Sequence, residues 1–122
     1  MEAPSDQLKL LSDYTLFHIG MYTTLIAALT SVAHFGHKRV SDGLRICIAA
    51  TVVCFVIAGA AGGAIASNIP NYANFSTYAA DHLNVFGVRP FTYWIWAHIE
   101  HGAFWLGLWI SVLGLLFAER KP

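Results

Sequence analysis

Residues 46–66 read ICIAATVVCFVIAGAAGGAIA and contain no Asp, Glu, Lys or Arg. A helix that crosses a bilayer needs about 20 mostly apolar residues, because it rises about 1.5 Å per residue through a hydrocarbon core of about 30 Å. This segment meets the requirement. Arg45 directly precedes it and can extend its long side chain to the membrane surface. We therefore predict a membrane-spanning helix at 46–66.

Two further apolar segments lie on either side. Residues 14–35, YTLFHIGMYTTLIAALTSVAHF, are also uncharged and predict a first span. The third apolar run covers residues 91–118, with Glu100 as its only formal charge. Its first residues, FTYWIW, are typical of the aromatic belt at membrane headgroups. We place the third span at 93–118, with about 97–117 in hydrocarbon.

The composition agrees with a membrane protein. Of the 122 residues, 57% are hydrophobic and only 11% are charged, and the mean hydropathy is +0.56. Soluble proteins carry about 25% charged residues. Seven basic residues balance seven acidic ones, so the basic surface that nucleic-acid binding requires is missing. We predict an all-α, integral membrane protein whose residues 1–122 form one membrane domain, with the lipid bilayer as its main partner.

The two linkers differ in character. Residues 36–45, GHKRVSDGLR, predict a short polar turn between antiparallel helices. Residues 67–92 are longer, and their middle part could form a short helix at the membrane interface that begins at Asn74 or Ser76.

The basic residues predict the orientation, because Lys and Arg near span ends tend to stay on the cytoplasmic side. Five of the seven would lie on the side of the first linker and the C-terminus: Lys38, Arg39, Arg45, Arg120 and Lys121. Only Lys9 and Arg89 would lie on the other side. We expect a multi-pass protein with its N-terminus outside and its C-terminus inside.

Small residues recur at helical spacing in all three spans. The third span has a stripe on the same face as Glu100: Ala103, Gly107, Ser111, Gly114 and Ala118. The first has a similar set: Gly20, Thr24, Ala27, Ala28 and Ser31. The second carries Gly59 and Gly63 at GxxxG spacing. Such faces let helix backbones approach closely. We expect them to pack within the chain, against other membrane subunits, or against a second copy.

Three histidines are predicted to share one depth in the membrane. His18 lies near the outer end of the first span, and His98 and His101 lie near the outer end of the third. Imidazole is the usual axial ligand of haem and a common metal ligand. We predict His18, His98 and His101 as candidate ligands of haem, (bacterio)chlorophyll or another cofactor such as quinone. The competing interpretation is an ordinary interfacial belt of polar and aromatic residues.

Glu100 is open to two interpretations. A carboxyl inside a span is a candidate for proton relay or ligand binding, or it bonds to a polar side chain of a neighbouring helix. With the three histidines it could also form the ligand set of a metal ion, such as iron or copper.

These patterns leave three functional hypotheses, and they do not decide whether the chain is an enzyme. The first is a small accessory subunit of a larger membrane complex, in respiratory or photosynthetic electron transfer. The second is a metal-dependent membrane oxidoreductase that uses His18, His98, His101 and Glu100. The third is a homo-oligomeric channel or transporter lined by Glu100. In length and number of spans the chain is similar to the cytochrome-b anchor subunits of succinate dehydrogenase, but it lacks their R-H-x-x-x-D run, so the resemblance implies no site residues.

Overall fold

The computed structural model describes residues 5–35 and 41–118, and within these ranges all the regular structure is helical. Four α-helices follow one another in the chain: α1 (Asp6–Phe35), α2 (Asp42–Asn68), α3 (Phe75–Ala80) and α4 (Tyr93–Ala118). A short 3₁₀ helix, Ile69–Asn71, continues from the end of α2. Three of the α-helices, α1, α2 and α4, are long and apolar enough to cross a membrane, so the chain fits a multi-pass integral membrane protein.

The helices cover the predicted spans, but two of them begin earlier. α1 begins at Asp6 because its first turns place Leu8 in a buried cluster, and a charge-free window misses such an amphipathic start. α2 begins at Asp42 because Ser41 caps it, the Ser41 hydroxyl accepting the Leu44 N–H at 3.2 Å. α4 matches the predicted 93–118.

α2 lies between α1 and α4. Along its length, Gly62 lies beside Glu100, Phe55 beside Gly107 and Cys47 beside Gly114, so α2 and α4 run antiparallel. A Cβ atom added to Gly107 would lie 2.8 Å from Phe55 Cε1. The predicted small-residue stripe of α4 therefore packs within the chain, against α2, and the small size of its side chains brings the two helices together.

The predicted small residues of α1 and α2 do not form close contacts between helices. Gly20 of α1 is exposed, and a Cβ added there would meet nothing within 4 Å. The remainder of that set, Thr24, Ala27, Ala28 and Ser31, is exposed as well. Instead, α1 buries residues seven positions apart, the large Leu8 and Tyr22 with Thr15 between them. Added Cβ atoms at Gly59 and Gly63 would also meet nothing, so the GxxxG pair makes no close contact within the described chain.

The linker after α2 is an ordered cap over one end of the bundle. The predicted short helix is present as α3, and Asn74 is its N-cap, accepting the Thr77 N–H at 2.9 Å. Tyr78 is fully buried and donates its hydroxyl to the Ile65 carbonyl oxygen at 2.8 Å. Burial raises the pKa of the Tyr78 phenol above its ordinary value.

A hairpin follows α3 and is held to the end of α2. Its tip has positive φ at both Phe86 and Gly87, the conformation of a tight two-residue turn. Buried Asn68 clamps it, because its side-chain amide donates to the Asn84 carbonyl at 2.9 Å and its carbonyl accepts the Asn84 N–H at 2.9 Å.

The orientation remains a prediction. Lys38, Arg39, Arg120 and Lys121, four of the five basic residues on which it depends most, lie outside the described residues.

Candidate functional site

The structure places the predicted histidines at one level of the bundle. α1 and α4 both run antiparallel to α2, since Tyr22 of α1 packs on Phe55 and Leu8 lies in one buried cluster with Ile65. The side chains of Ile19 and Glu100 both lie beside Gly62. His18 is the neighbour of Ile19, and His98 and His101 flank Glu100 in the sequence. The two helices thus run in the same direction and bring the three imidazoles to the same level of the bundle, where His18 and His98 both interact electrostatically with His101.

Two of these imidazoles are oriented by their own helices. His98 Nδ1 lies 2.7 Å from the Trp94 carbonyl oxygen, and His18 Nδ1 lies 2.8 Å from the Tyr14 carbonyl oxygen. A carbonyl oxygen can only accept, so Nδ1 carries the proton in both rings. In the neutral ring Nε2 then holds the lone pair. A backbone carbonyl bonded to the opposite nitrogen is the usual support for a histidine that ligates a metal.

His98 and His101 line a groove of about 380 Å³ along the surface of α4. Its remaining lining consists of aromatic and small residues, namely Tyr93, Trp94, Ala97, Gly102 and Trp105. The volume is near the lower limit of ligand pockets, which is about 300 Å³. The groove is open on its outer side, so the chain alone covers one side of any ligand there.

His18 does not belong to this groove. Its ring contacts aromatic side chains of its own helix, with the Tyr14 ring centroid at 4.1 Å and the Tyr22 centroid at 6.1 Å. The predicted ligand set is therefore divided between two places, with His98 and His101 in the groove and His18 on α1.

Glu100 lies in the contact with α2, on the side of α4 that faces away from His98. Its side chain is 2% exposed, and its carboxylate contacts the bare backbone at Gly62. His101 Nε2 lies 3.6 Å from Oε1, beyond hydrogen-bond distance. Oε2 has no hydrogen-bond partner within the described residues. His18 and Tyr22 of α1 interact electrostatically with this carboxyl.

Tyr22 belongs to the same site, although sequence reasoning did not select it. The side chain is 1% exposed and its hydroxyl, like Glu100 Oε2, lacks a hydrogen-bond partner in the part of the chain described. Its ring packs on Phe55 of α2 and Phe104 of α4. The spacing of Tyr14, His18 and Tyr22, four residues apart, could have indicated a polar line along α1.

The four side chains considered for metal binding do not form one ligand set. Among residues 5–35 and 41–118, no group of three or more His, Cys, Asp or Glu side chains is arranged to hold a metal ion. His98 and Glu100 face opposite sides of α4, one in the open groove and the other against α2. The geometry therefore does not favour the four-ligand metal site.

The comparisons with known proteins identify no relative of the chain. No protein-family model matches the chain, and searches of curated proteins and of solved structures give no significant match.

Proposed function

We propose that the chain is an accessory subunit of a larger membrane complex of respiratory or photosynthetic electron transfer. In this proposal the outward face of α4 supplies an axial imidazole, His98, to a tetrapyrrole, either haem or a (bacterio)chlorophyll. With the predicted orientation, N-terminus outside, the ligand lies towards the outer leaflet.

The observation that carries the proposal is the hydrogen bond between His98 Nδ1 and the Trp94 carbonyl oxygen, 2.7 Å long. It fixes the ring and leaves the Nε2 lone pair free to bind a ligand, with a groove of about 380 Å³ beside it. Trp94 and Trp105 provide apolar aromatic walls, as the flat face of a tetrapyrrole requires.

The same groove supports a subunit rather than a protein that acts alone. A ligand pocket normally buries most of its ligand, and this groove has one wall. Trp94, Trp105 and Trp109 of α4 are each more than half exposed, which leaves space on this face for a partner helix. A membrane-protein subunit beside α4 would complete the pocket.

The observations favour this function over the other two hypotheses. A metal-dependent oxidoreductase needs its ligands together, and His98 and Glu100 face apart. A channel lined by Glu100 needs that residue at a lumen, but it is 2% exposed and packs against α2.

The test isolates the tagged chain from its own membranes in mild detergent and records its visible and near-infrared spectrum. We expect haem or chlorin bands and co-purifying subunits, and the bands distinguish the two tetrapyrroles. His98→Ala should remove the bands, whereas the matched variant His82→Ala, in the exposed linker, should retain them. A colourless monomer, or an unchanged spectrum in His98→Ala, would refute the proposal.

A further inference from the structure

The hairpin that follows α3 ends in an exposed apolar tip, residues 85–88, with the sequence VFGV. The Phe86 side chain is fully exposed, at 101% of its reference area, and Val88 is 62% exposed. No charged residue lies between Leu83 and Val88, and Arg89 follows directly. An exposed apolar patch with a polar rim marks contact with another protein or with a membrane.

The backbone of the tip makes Phe86 unusual at its position. Its φ is 53°, and the φ of Gly87 is 84°. A two-residue turn with two positive φ values is normally formed by Asn-Gly, Asp-Gly or Gly-Gly, because a large side chain disfavours the left-handed region. The turn therefore carries an aromatic side chain where turn formation alone favours Asn. A contact outside the turn has to compensate for this strain.

The tip lies beside the last two turns of α2 instead of projecting away from the bundle. Val85 and Phe86 line a cavity of about 420 Å³, together with small residues of α2: Ala60, Gly63, Ala64 and Ser67. From Ser67 back to Ala60 the helix axis extends about 10 Å, at about 1.5 Å per residue. Since α2 is one of the three helices that are apolar enough to cross a membrane, the tip is at the level of lipid.

The hairpin backbone satisfies most of its own polar groups. Val85 and Val88 exchange both of their N–H···O bonds, at 2.7 and 3.1 Å. The Asn84 N–H donates to the Asn68 side-chain oxygen at 2.9 Å, and the Gly87 N–H donates to the Asn84 side-chain oxygen at 2.8 Å. Four of the five N–H groups between Asn84 and Val88 are thus bonded within the protein. A backbone that enters lipid needs such internal bonds, because no water is available to replace them.

We propose that the tip inserts into the lipid leaflet at the C-terminal end of α2 and anchors the cap to the membrane. Phe86 lies at the boundary between headgroups and acyl chains, where its burial compensates for its strained φ. Arg89, exposed next to the tip, extends its long side chain towards the phospholipid phosphates. This proposal does not depend on the tetrapyrrole.

A fluorescent label close to Phe86 tests where the tip lies, with the full chain in phosphatidylcholine vesicles. Cys47→Ala and Cys54→Ala remove the two native cysteines and keep their Cβ atoms in the contact with α4. Val88→Cys then carries a nitrobenzoxadiazole label, and Ala80→Cys, at the exposed end of α3, carries the same label as the control. We expect lipids brominated near the ester end of their chains to quench the Val88 label several-fold more than the Ala80 label. Aqueous iodide should show the reverse order.

The variant Phe86→Asn separates the anchor from the turn. Asn adopts positive φ readily, so the hairpin keeps its turn and loses only the aromatic ring. Iodide quenching of the Val88 label should then rise several-fold, and an unchanged label would refute the role of Phe86 as the anchor.

Two results in the unsubstituted tip would overturn the insertion itself. Iodide that quenches the Val88 label as strongly as the Ala80 label would place the tip in water. Protection of the Val88 label from both iodide and brominated lipid would mean that a second copy of the chain, and not lipid, covers the tip.

Discussion

Gly107→Ala should loosen the contact between α2 and α4. A Cβ there would lie 2.8 Å from Phe55 Cε1 and 3.1 Å from Cys54 Cβ, whereas ordinary contacts begin near 3.4 Å. Cys54 Cβ is attached directly to the α2 backbone, so a change of rotamer cannot move it away. The helices must therefore separate by a few tenths of an ångström. This separation also stretches the hydrogen bond across the interface in which the Gly107 carbonyl oxygen accepts the Thr51 hydroxyl, at 3.3 Å.

The expected loss of stability is estimated by comparing Gly107→Ala with Gly102→Ala, a substitution on the same helix. Overpacking a well-packed core costs about 1–3 kcal/mol, and replacing Gly by Ala in a helix recovers about 0.5–1 kcal/mol. Gly102→Ala gains only the second effect, because its added Cβ would meet nothing within 4 Å. The free energy of unfolding of Gly107→Ala should therefore be about 1–3 kcal/mol below that of Gly102→Ala.

The assay is reversible unfolding in mixed detergent micelles, followed by far-ultraviolet circular dichroism, with both variants measured under the same conditions. Equal stability of the two variants, within about 0.5 kcal/mol, would show that α4 does not approach α2 through Gly107. A larger loss in Gly102→Ala than in Gly107→Ala would reverse the assignment of the two faces of α4.

Two further predictions concern the linker. Asn68→Ala leaves the Asn84 N–H and carbonyl without their side-chain partners, so it should cost about 1–3 kcal/mol and speed amide hydrogen exchange in the hairpin, while unchanged exchange would contradict the clamp. Tyr78 holds its proton more tightly in the folded protein than in the unfolded chain. Its contribution to stability should thus be complete below its ordinary pKa of about 10 and be lost as the pH rises through the raised folded value. Unfolding followed against pH should show this alkaline loss in the wild type and a smaller one in Tyr78→Phe.

The spans and the face of α4 were predictable because each depends on a local pattern. Charge-free runs long enough for a bilayer predict helices whatever their neighbours are. The stripe through Gly107 and Gly114 makes a close helix contact, as its spacing predicted, and the structure identifies the partner as α2.

The face of α1 was not predictable from the same rule. One face of α1 carries small residues such as Gly20 and Ala27, and another carries the large residues Leu8 and Tyr22. Periodicity alone does not say which face packs against another helix. The structure buries the large set, because Tyr22 fits between Phe55 and Phe104.

The polar site was predictable in part. Its depth and the presence of Glu100 follow from the sequence, since a lone carboxyl in an apolar run stands out. The separation of His98 and His101, in the groove, from His18, on α1, does not follow from the sequence. The position of Gly62, which makes room for the carboxylate, became meaningful only once α2 was seen to lie between α1 and α4.

α4 therefore carries two chemically different sites on two of its faces, joined through neighbouring residues. The inner face places Glu100 against α2, and the outer face presents His98 in an open groove. His101 belongs to both, because it lines the groove and lies 3.6 Å from the Glu100 carboxylate. If the two sites are independent, Glu100→Gln leaves the visible spectrum of the purified chain unchanged. If they act together, Glu100→Gln shifts the bands, and His101 is the residue through which the two sites would be coupled.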